Sequence, residues 1–299
     1  MMRHKGLWYS FGAAFCFGVA TPYIKIGVDH VPLFFYESVM SLTALCMLLA
    51  YFVFRERHRS WHIHTYWREY LALGIVSSFL PNVFAYLGYH YGYAVNTTVL
   101  LRFEVFAVLM FSVFYLHERI THRQSIGLGL GFLGVCVFVY KSGFTFIAGD
   151  VYILLATTCF AAFPILVKQL RDVLSTTQLN VIRLAVSVPL FIFGTFLTGQ
   201  TDVSAYAPYV PFYIMFVSGF GVFVLGASCY AEAVRYWDVW KVVFVAQFGS
   251  VFFGYIASVL VLGEQYSIQQ VFGALIILFG IVLVLWRSQD VRTTAIFAE

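Results

Sequence analysis

Apolar residues run along this chain in long unbroken stretches separated by short polar breaks. A helix that crosses a bilayer needs about 20 apolar residues. Ten stretches qualify, at 6–27, 33–54, 70–90, 97–117, 124–141, 150–168, 178–198, 210–233, 242–262 and 269–286. They fall five and five around a polar loop at 142–149. Strands of a membrane barrel would alternate with period two, and these runs do not. Helices satisfy their own backbone in lipid, so an all-α integral membrane protein of ten transmembrane helices is expected. The first run contains Pro22 and Lys25 and lacks a small-residue cleavage site, so it reads as a span rather than a leader.

Charge placement orients the spans. With the N-terminus in the cytoplasm, Arg3, Lys5, Arg55, Arg57, Arg59, Arg68, Arg119, Arg123, Lys168, Arg171, Arg235, Lys241, Arg287 and Arg292 all face the cytoplasm, and only Lys141 faces outward. That bias predicts a multi-pass protein with both termini cytoplasmic. The longest polar connection, Arg55 to Glu69, carries Trp61 and Trp67 and reads as an interfacial segment. His58 and His62 lie four apart in it, the spacing of two metal ligands on one helix face, yet the interfacial reading explains them equally and no metal site is expected.

The chain repeats itself. From Glu118, a Gln follows at Gln124 and glycines at Gly127 and Gly134; from Glu264 the same offsets give Gln270, Gly273 and Gly280. Toward the N-terminal ends, Tyr9, Ala13, Cys16, Phe17 and Lys25 match Tyr152, Ala156, Cys159, Phe160 and Lys168. A fixed internal period marks a duplicated unit. The expected organisation is a first repeat at 1–141, a linking loop at 142–149, a second repeat at 150–286 and a cytoplasmic tail at 287–299. Five spans per repeat is an odd number, so the second copy enters the membrane from the opposite side. Such inverted-topology repeats are the architecture of many secondary transporters.

Composition agrees with lipid as the solvent: 61% of the residues are hydrophobic and 11% charged, against about 25% charged in soluble domains. The net charge of +4 points to no nucleic-acid partner. Cys16, Cys46, Cys136, Cys159 and Cys229 sit inside apolar runs without CxxC spacing and read as packing thiols.

Ionisable groups inside spans are costly and are functional candidates by default. Lys25, Glu37, Arg102 and Glu104 gather toward the outer side of the first repeat. Arg183 and Glu232 lie toward the cytoplasm in the second. Arg102 and Glu104 are two residues apart and point about 160° away from each other on an α-helix, so each needs a partner elsewhere. Arg102 with Glu37 and Arg183 with Glu232 are the pairs the sequence offers; interhelical pairs that fix the bundle and a solute site are both open readings. At the repeat offsets, Glu37 meets Asn180, Arg183 meets Met40, Arg102 meets Phe248 and Glu104 meets Ser250. The scaffold recurs while the charges do not, which favours a site between the halves. Tyr86 and His90 in span 3, with Tyr230 and Gln247 in the second half, are further candidates to line it. Pro22 and Pro164 occupy nearly matching places and would permit kinks. Gly127, Gly129, Gly131 and Gly134 with Gly273 and Gly280 allow close helix approach, either as internal packing or as a dimer face.

The ten spans in two halves, with Leu262-Gly263-Glu264, Gln270, Gly273 and Gly280 in the second half and His117-Glu118, Gln124, Gly127 and Gly134 in the first, resemble the drug/metabolite transporter superfamily in its EamA-like branch, over nearly all of residues 6–286. His117 replaces the usual Gly, Val105 replaces the Pro that often follows the place of Glu104, and Arg183-Leu184 is similar to an Arg-Phe early in the second span. The resemblance implies an inner-membrane carrier of small polar metabolites such as amino acids, uncoupled or ion-coupled and working without a cofactor, with a central cavity lined by spans 1, 3, 4, 6, 8 and 9.

The expected function is export of such a metabolite by alternating access, by a monomer or homodimer, with proton coupling open. Arg102 would meet a substrate carboxylate and Glu104 an amine or a proton. The rival classes are a membrane-embedded enzyme, for which HExxH, GxSxG and paired-Asp motifs are absent from the sequence, and a receptor or structural membrane protein, which gives no reason for an inverted repeat.

Overall fold

The computed structural model describes residues 2–61, 63–91, 100–118, 120–139, 147–199, 203–206, 217–263 and 267–285. Among these residues the chain is helical in ten rods. They are α1 (Met2–His30), α2 (Leu33–Arg55), α3 (63–91), α4 (101–116), α5 (His122–Val139), α6 (148–170), α7 (Thr176–Leu197), α8 (219–236), α9 (Val239–Leu262) and α10 (Ile268–Leu285). A single helical turn, Val203–Tyr206, precedes α8. Six rods, α2, α3, α6, α7, α9 and α10, are long and apolar enough to cross a membrane. Large apolar side chains on the outer surface, such as Phe54, Phe114, Leu260 and Phe279, are exposed, as a lipid-facing shell requires.

Local chemistry starts and stops these rods alike in the two repeats. Gln124 Oε1 accepts from the Thr121 backbone N–H at 2.9 Å, and Gln270 Oε1 accepts from the Ser267 N–H at 2.9 Å. Each repeated Gln thus reaches back to cap the start of its own helix, and Ser267 Oγ in turn accepts from the Gln270 N–H at 3.4 Å, closing a capping box there. Ser175 and Gln178 form the complete box at the head of α7. The ends match too. His117 closes α4 at φ 53°, and Gly263 closes α9 at φ 65°. The left-handed conformation is routine for Gly and strained for His.

The repeated glycines pack against each other. A Cβ on Gly134 would lie 2.8 Å from the Gly273 carbonyl oxygen, and one on Gly280 would lie 2.8 Å from that of Gly127. So 127 faces 280 and 134 faces 273, and α5 runs antiparallel to α10. Gly129 meets nothing within 4 Å. The second helices behave likewise: Glu56 meets Ser175 and Ser38 meets Thr195, so α2 and α7 are antiparallel. By contrast, α1 and α9 are parallel, with Gly18 against Gly254 and Gly6 against Trp237. The first half of α9 is buried on all sides, from Val239 and Trp240 through Phe244 to Phe248, and serves as the pillar of the larger core.

Two features lay outside the sequence reading. Residues 72–79 of α3 and 219–226 of α8 are both π-helical and occupy equivalent places in the two repeats. Each π segment leans on the second helix of the opposite repeat: Gly74 faces Val186 of α7, and Gly219 faces the Met40 carbonyl of α2. Such π segments are rare and often lie at functional sites. The two prolines also differ. Pro22 sits within an unbroken α1, whereas α6 breaks at Ala161 and Pro164 stands in the first turn of the segment that follows, where its missing N–H costs least.

Candidate functional site

Buried and half-buried charges of the two repeats are brought into one connected band, but with partners other than those the spacing suggested. Arg102 lies in the 3₁₀ turn Leu101–Phe103 that opens α4, and Glu104 is the first α-helical residue after it. Gln247 of α9 serves both. Arg102 Nη1 donates to Gln247 Oε1 at 2.7 Å and to its backbone oxygen at 3.1 Å, while Gln247 Nε2 donates to Glu104 Oε2 at 2.5 Å. The tighter 3₁₀ winding moves the two charges off the opposed faces expected of a regular α-helix. The pair Arg102–Glu37 therefore does not form.

Next along the band is Tyr230 of α8. Its ring stacks on Phe163 of α6 at 5.8 Å and 18°, and tilts against Phe17 of α1 at 6.1 Å. Its hydroxyl is close enough to Glu104 for an electrostatic interaction and has no hydrogen-bond partner among the described residues. Phe163 in turn carries the guanidinium of Arg183 over its other neighbourhood, 4.4 Å from the ring centroid, and Phe223 of α8 lies at 5.3 Å. Such cation–π contacts suit a desolvated Arg. The charge that acts on Arg183 is that of Glu37 on α2, while Glu232 pairs with Arg235. Asn180, one turn before Arg183 on α7, donates through Nδ2 to Ser228 Oγ at 3.4 Å. Tyr36 beside Glu37 donates to Ser218 Oγ at 3.2 Å. The band thus runs Arg102, Gln247, Glu104, Tyr230, Phe163, Arg183, Glu37, drawing on both repeats.

Glu232 belongs elsewhere. It accepts from Thr176 Oγ1 at 2.5 Å and from the Tyr236 hydroxyl at 3.4 Å, and pairs with Arg235 Nε at 3.4 Å. These contacts are part of a polar seam at one end of the bundle. There Glu56 accepts from Ser175 and Thr177, Gln178 donates to the Ser60 carbonyl at 2.9 Å, and Lys168 donates to the Val234 and Trp237 carbonyls at 3.1 and 2.8 Å. Glu118 closes the same end: its Oε1 accepts from the Val239 N–H at 2.9 Å, tying the α4–α5 loop to the head of α9. Burial pushes the Glu118 carboxyl above the usual carboxylate range, against the Val239 hydrogen bond that favours its charged form.

Of the remaining sequence candidates, Tyr86 is half-buried on α3. Lys25 lies in α1 and His90 in α3, with side chains outside the description, and Glu264 lies outside the described residues altogether. Among the described residues no cluster of His, Cys, Asp or Glu could hold a metal ion. Phe163, Phe223 and Asn180 were missed. Nothing in the sequence separates those two rings from the other phenylalanines of a chain that has 33. Asn180 did carry a signal, as the repeat counterpart of Glu37.

A model of the EamA-like transporter family matches the chain twice, over residues 4–140 and 147–286. No curated protein matches the sequence. Among solved structures, one described only as the crystal structure of a protein is similar over 94% of this chain and 96% of its own, at 13% identity and a TM-score of 0.78. That likeness concerns the fold alone.

Proposed function

Because the chain belongs to the EamA-like transporter family, we propose that it is a ten-span carrier of the inner or plasma membrane that exports small polar metabolites such as amino acids, by alternating access between two inverted repeats. The observation that carries this reading is the buried band of charge between the repeats. Glu104 and Glu37 are 7% and 8% exposed, and Arg183 is 7% exposed. Groups of this kind inside a membrane protein are expensive to keep and mark solute or ion pathways. The antiparallel crossings of α5 with α10 and of α2 with α7 support the inverted relation. The polar seam at Glu56, Ser175 and Lys168 lies at the end that carries most of the basic residues, and we assign it to the cytoplasm. It serves as the inner gate, and the π segments of α3 and α8 are the places where the repeats flex.

In this mechanism Arg102 and Gln247 hold Glu104 in place, and Glu104 takes the amine of a solute or a coupling proton. The test is counterflow by purified protein in liposomes, with labelled amino acids, polyamines, sugars and nucleosides, with and without a proton gradient. Saturable uptake of one class that is lost in Glu104→Gln supports the reading. Absence of saturable uptake of every class by folded protein contradicts it.

A further inference from the structure

Arg183 presents an unusual combination. It is buried, two aromatic rings flank its guanidinium, and its Nε and Nη2 atoms have no hydrogen-bond partner among the described residues. Those two nitrogens are the pair on one edge of the guanidinium, the fork that meets both oxygens of a carboxylate in parallel. Two acceptors near it are in the same condition, one on α2 and one on its own helix. Glu37 Oε2 and Asn180 Oδ1 are buried and have no donor among the described residues. Glu37 and Arg183 interact electrostatically, yet no N···O contact within 4.0 Å joins them. A buried acid and base kept for stability alone would be expected to touch, since an unsatisfied buried charge is far costlier than a closed pair.

Buried donors and acceptors left unpartnered in one neighbourhood are complementary to a molecule that carries both an anion and a cation. We propose that Arg183 docks the carboxylate of the transported solute on its Nε–Nη2 edge, while Glu37 and Asn180 receive an ammonium group of the same solute. The inference rests on the carrier reading above; it moves the anion-binding role from Arg102, whose Nη1 is held by Gln247, to Arg183, and the amine from Glu104 to Glu37, which leaves Glu104 the coupling proton. Asn180 and Arg183 are three apart on α7 and share a face, so one helix contributes to both ends of the solute. Glu37 comes from the other repeat. It sets specificity by repulsion: a carboxylate that brings no cation would face an uncompensated buried acid. The rings that cover Arg183 stand on the two deformable places, Phe163 just after the break in α6 and Phe223 inside the π segment of α8. Movement of either segment would uncover the fork, which gives a solute its way in.

The test uses the full protein in liposomes and six labelled probes. These are alanine and phenylalanine, their amine-free acids propionate and 3-phenylpropionate, and their carboxylate-free amines ethylamine and phenethylamine. Wild type is expected to take up the two zwitterions at least about tenfold faster than any fragment. Arg183→Lys keeps the charge and loses the fork, so its half-saturation concentration for the zwitterions rises about tenfold or more. Glu37→Gln removes the repulsion, so it gains uptake of propionate or 3-phenylpropionate that wild type lacks. That gain cannot come from misfolding. Each variant is checked for a single symmetric species in size-exclusion chromatography. Fragments carried as fast as the zwitterions, unchanged half-saturation in Arg183→Lys, or no uptake of all six probes would each overturn the assignment. Uptake of another class in the broader solute panel would then leave the carrier reading standing. Absence of uptake across both panels would remove both.

Discussion

Replacing Gln247 with Leu asks how strongly one neutral amide holds two charges inside the bundle. The substitution removes the 2.7 Å bond from Arg102 and the 2.5 Å bond to Glu104, and leaves the bond from Arg102 to the backbone oxygen. Interhelical hydrogen bonds in membrane proteins average about 0.6 kcal/mol, so two ordinary ones would cost about 1.2 kcal/mol. Bonds to charged groups are stronger, about 1.5–3 kcal/mol. Glu104 is buried and loses its one side-chain hydrogen bond among the described residues, so the larger figure applies to it. Arg102 keeps another partner, so the smaller figure applies there. The sum is about 2–4 kcal/mol. At roughly 2–4 °C per kcal/mol for a chain of this size, thermal unfolding in detergent should fall by roughly 4–16 °C. Adding Glu104→Gln to Gln247→Leu removes the stranded charge, and the double variant should recover most of the loss. A Gln247→Leu protein within about 1 °C of wild type, or a double variant no better than the single, would refute the claim that Gln247 is what balances Glu104.

Three further outcomes follow from the scaffold. His117 is exposed and occupies the left-handed position that Gly263 fills in the other repeat, so His117→Gly should raise stability by about 1 kcal/mol and Gly263→Ala should lower it by about 1–2 kcal/mol, read as opposite shifts in thermal unfolding. Gly280→Ala should destabilise by about 1–3 kcal/mol because its Cβ meets the backbone of α5 at 2.8 Å, whereas Gly129→Ala, with nothing within 4 Å, should be neutral or slightly stabilising. The Glu118 carboxyl has a raised value in the folded protein. Its contribution is therefore fully present below the unfolded value of about 4.3 and is lost as pH rises through the folded one. Glu118→Gln, which keeps an acceptor for the Val239 N–H, should flatten the decline in stability between mildly acidic and neutral pH, as measured by unfolding across that range.

Features written in one stretch of chain were legible in the sequence. The repeated Gln was legible as a mark of the duplication; the structure adds its role, a cap on the backbone N–H three residues before it, at Thr121 and at Ser267. The repeated glycines signal a close crossing, and their shared spacing is what makes 127 meet 280 and 134 meet 273. Charge partners were not legible in the same way. Arg183 and Glu37 come within electrostatic range because α2 and α7 cross antiparallel in a particular register, and nothing within either helix encodes that register. Arg102 and Glu104 point apart on a regular α-helix, but Arg102 lies inside a 3₁₀ turn and Glu104 directly after it. The π segments have no signature that propensity or periodicity detects, since glycine and β-branched residues in 72–79 and 219–226 read equally as ordinary apolar span.

The claim on which the account turns is that this chain moves a small polar solute through a charged band shared by two inverted repeats. Counterflow uptake by purified protein in liposomes tests it most directly, comparing wild type with Glu104→Gln across the broad solute panel. The account predicts saturable uptake of one solute class by wild type and its loss in the variant, with both proteins equally well folded. Equal uptake by the two, or no saturable uptake of any class by well-folded wild type, would contradict it.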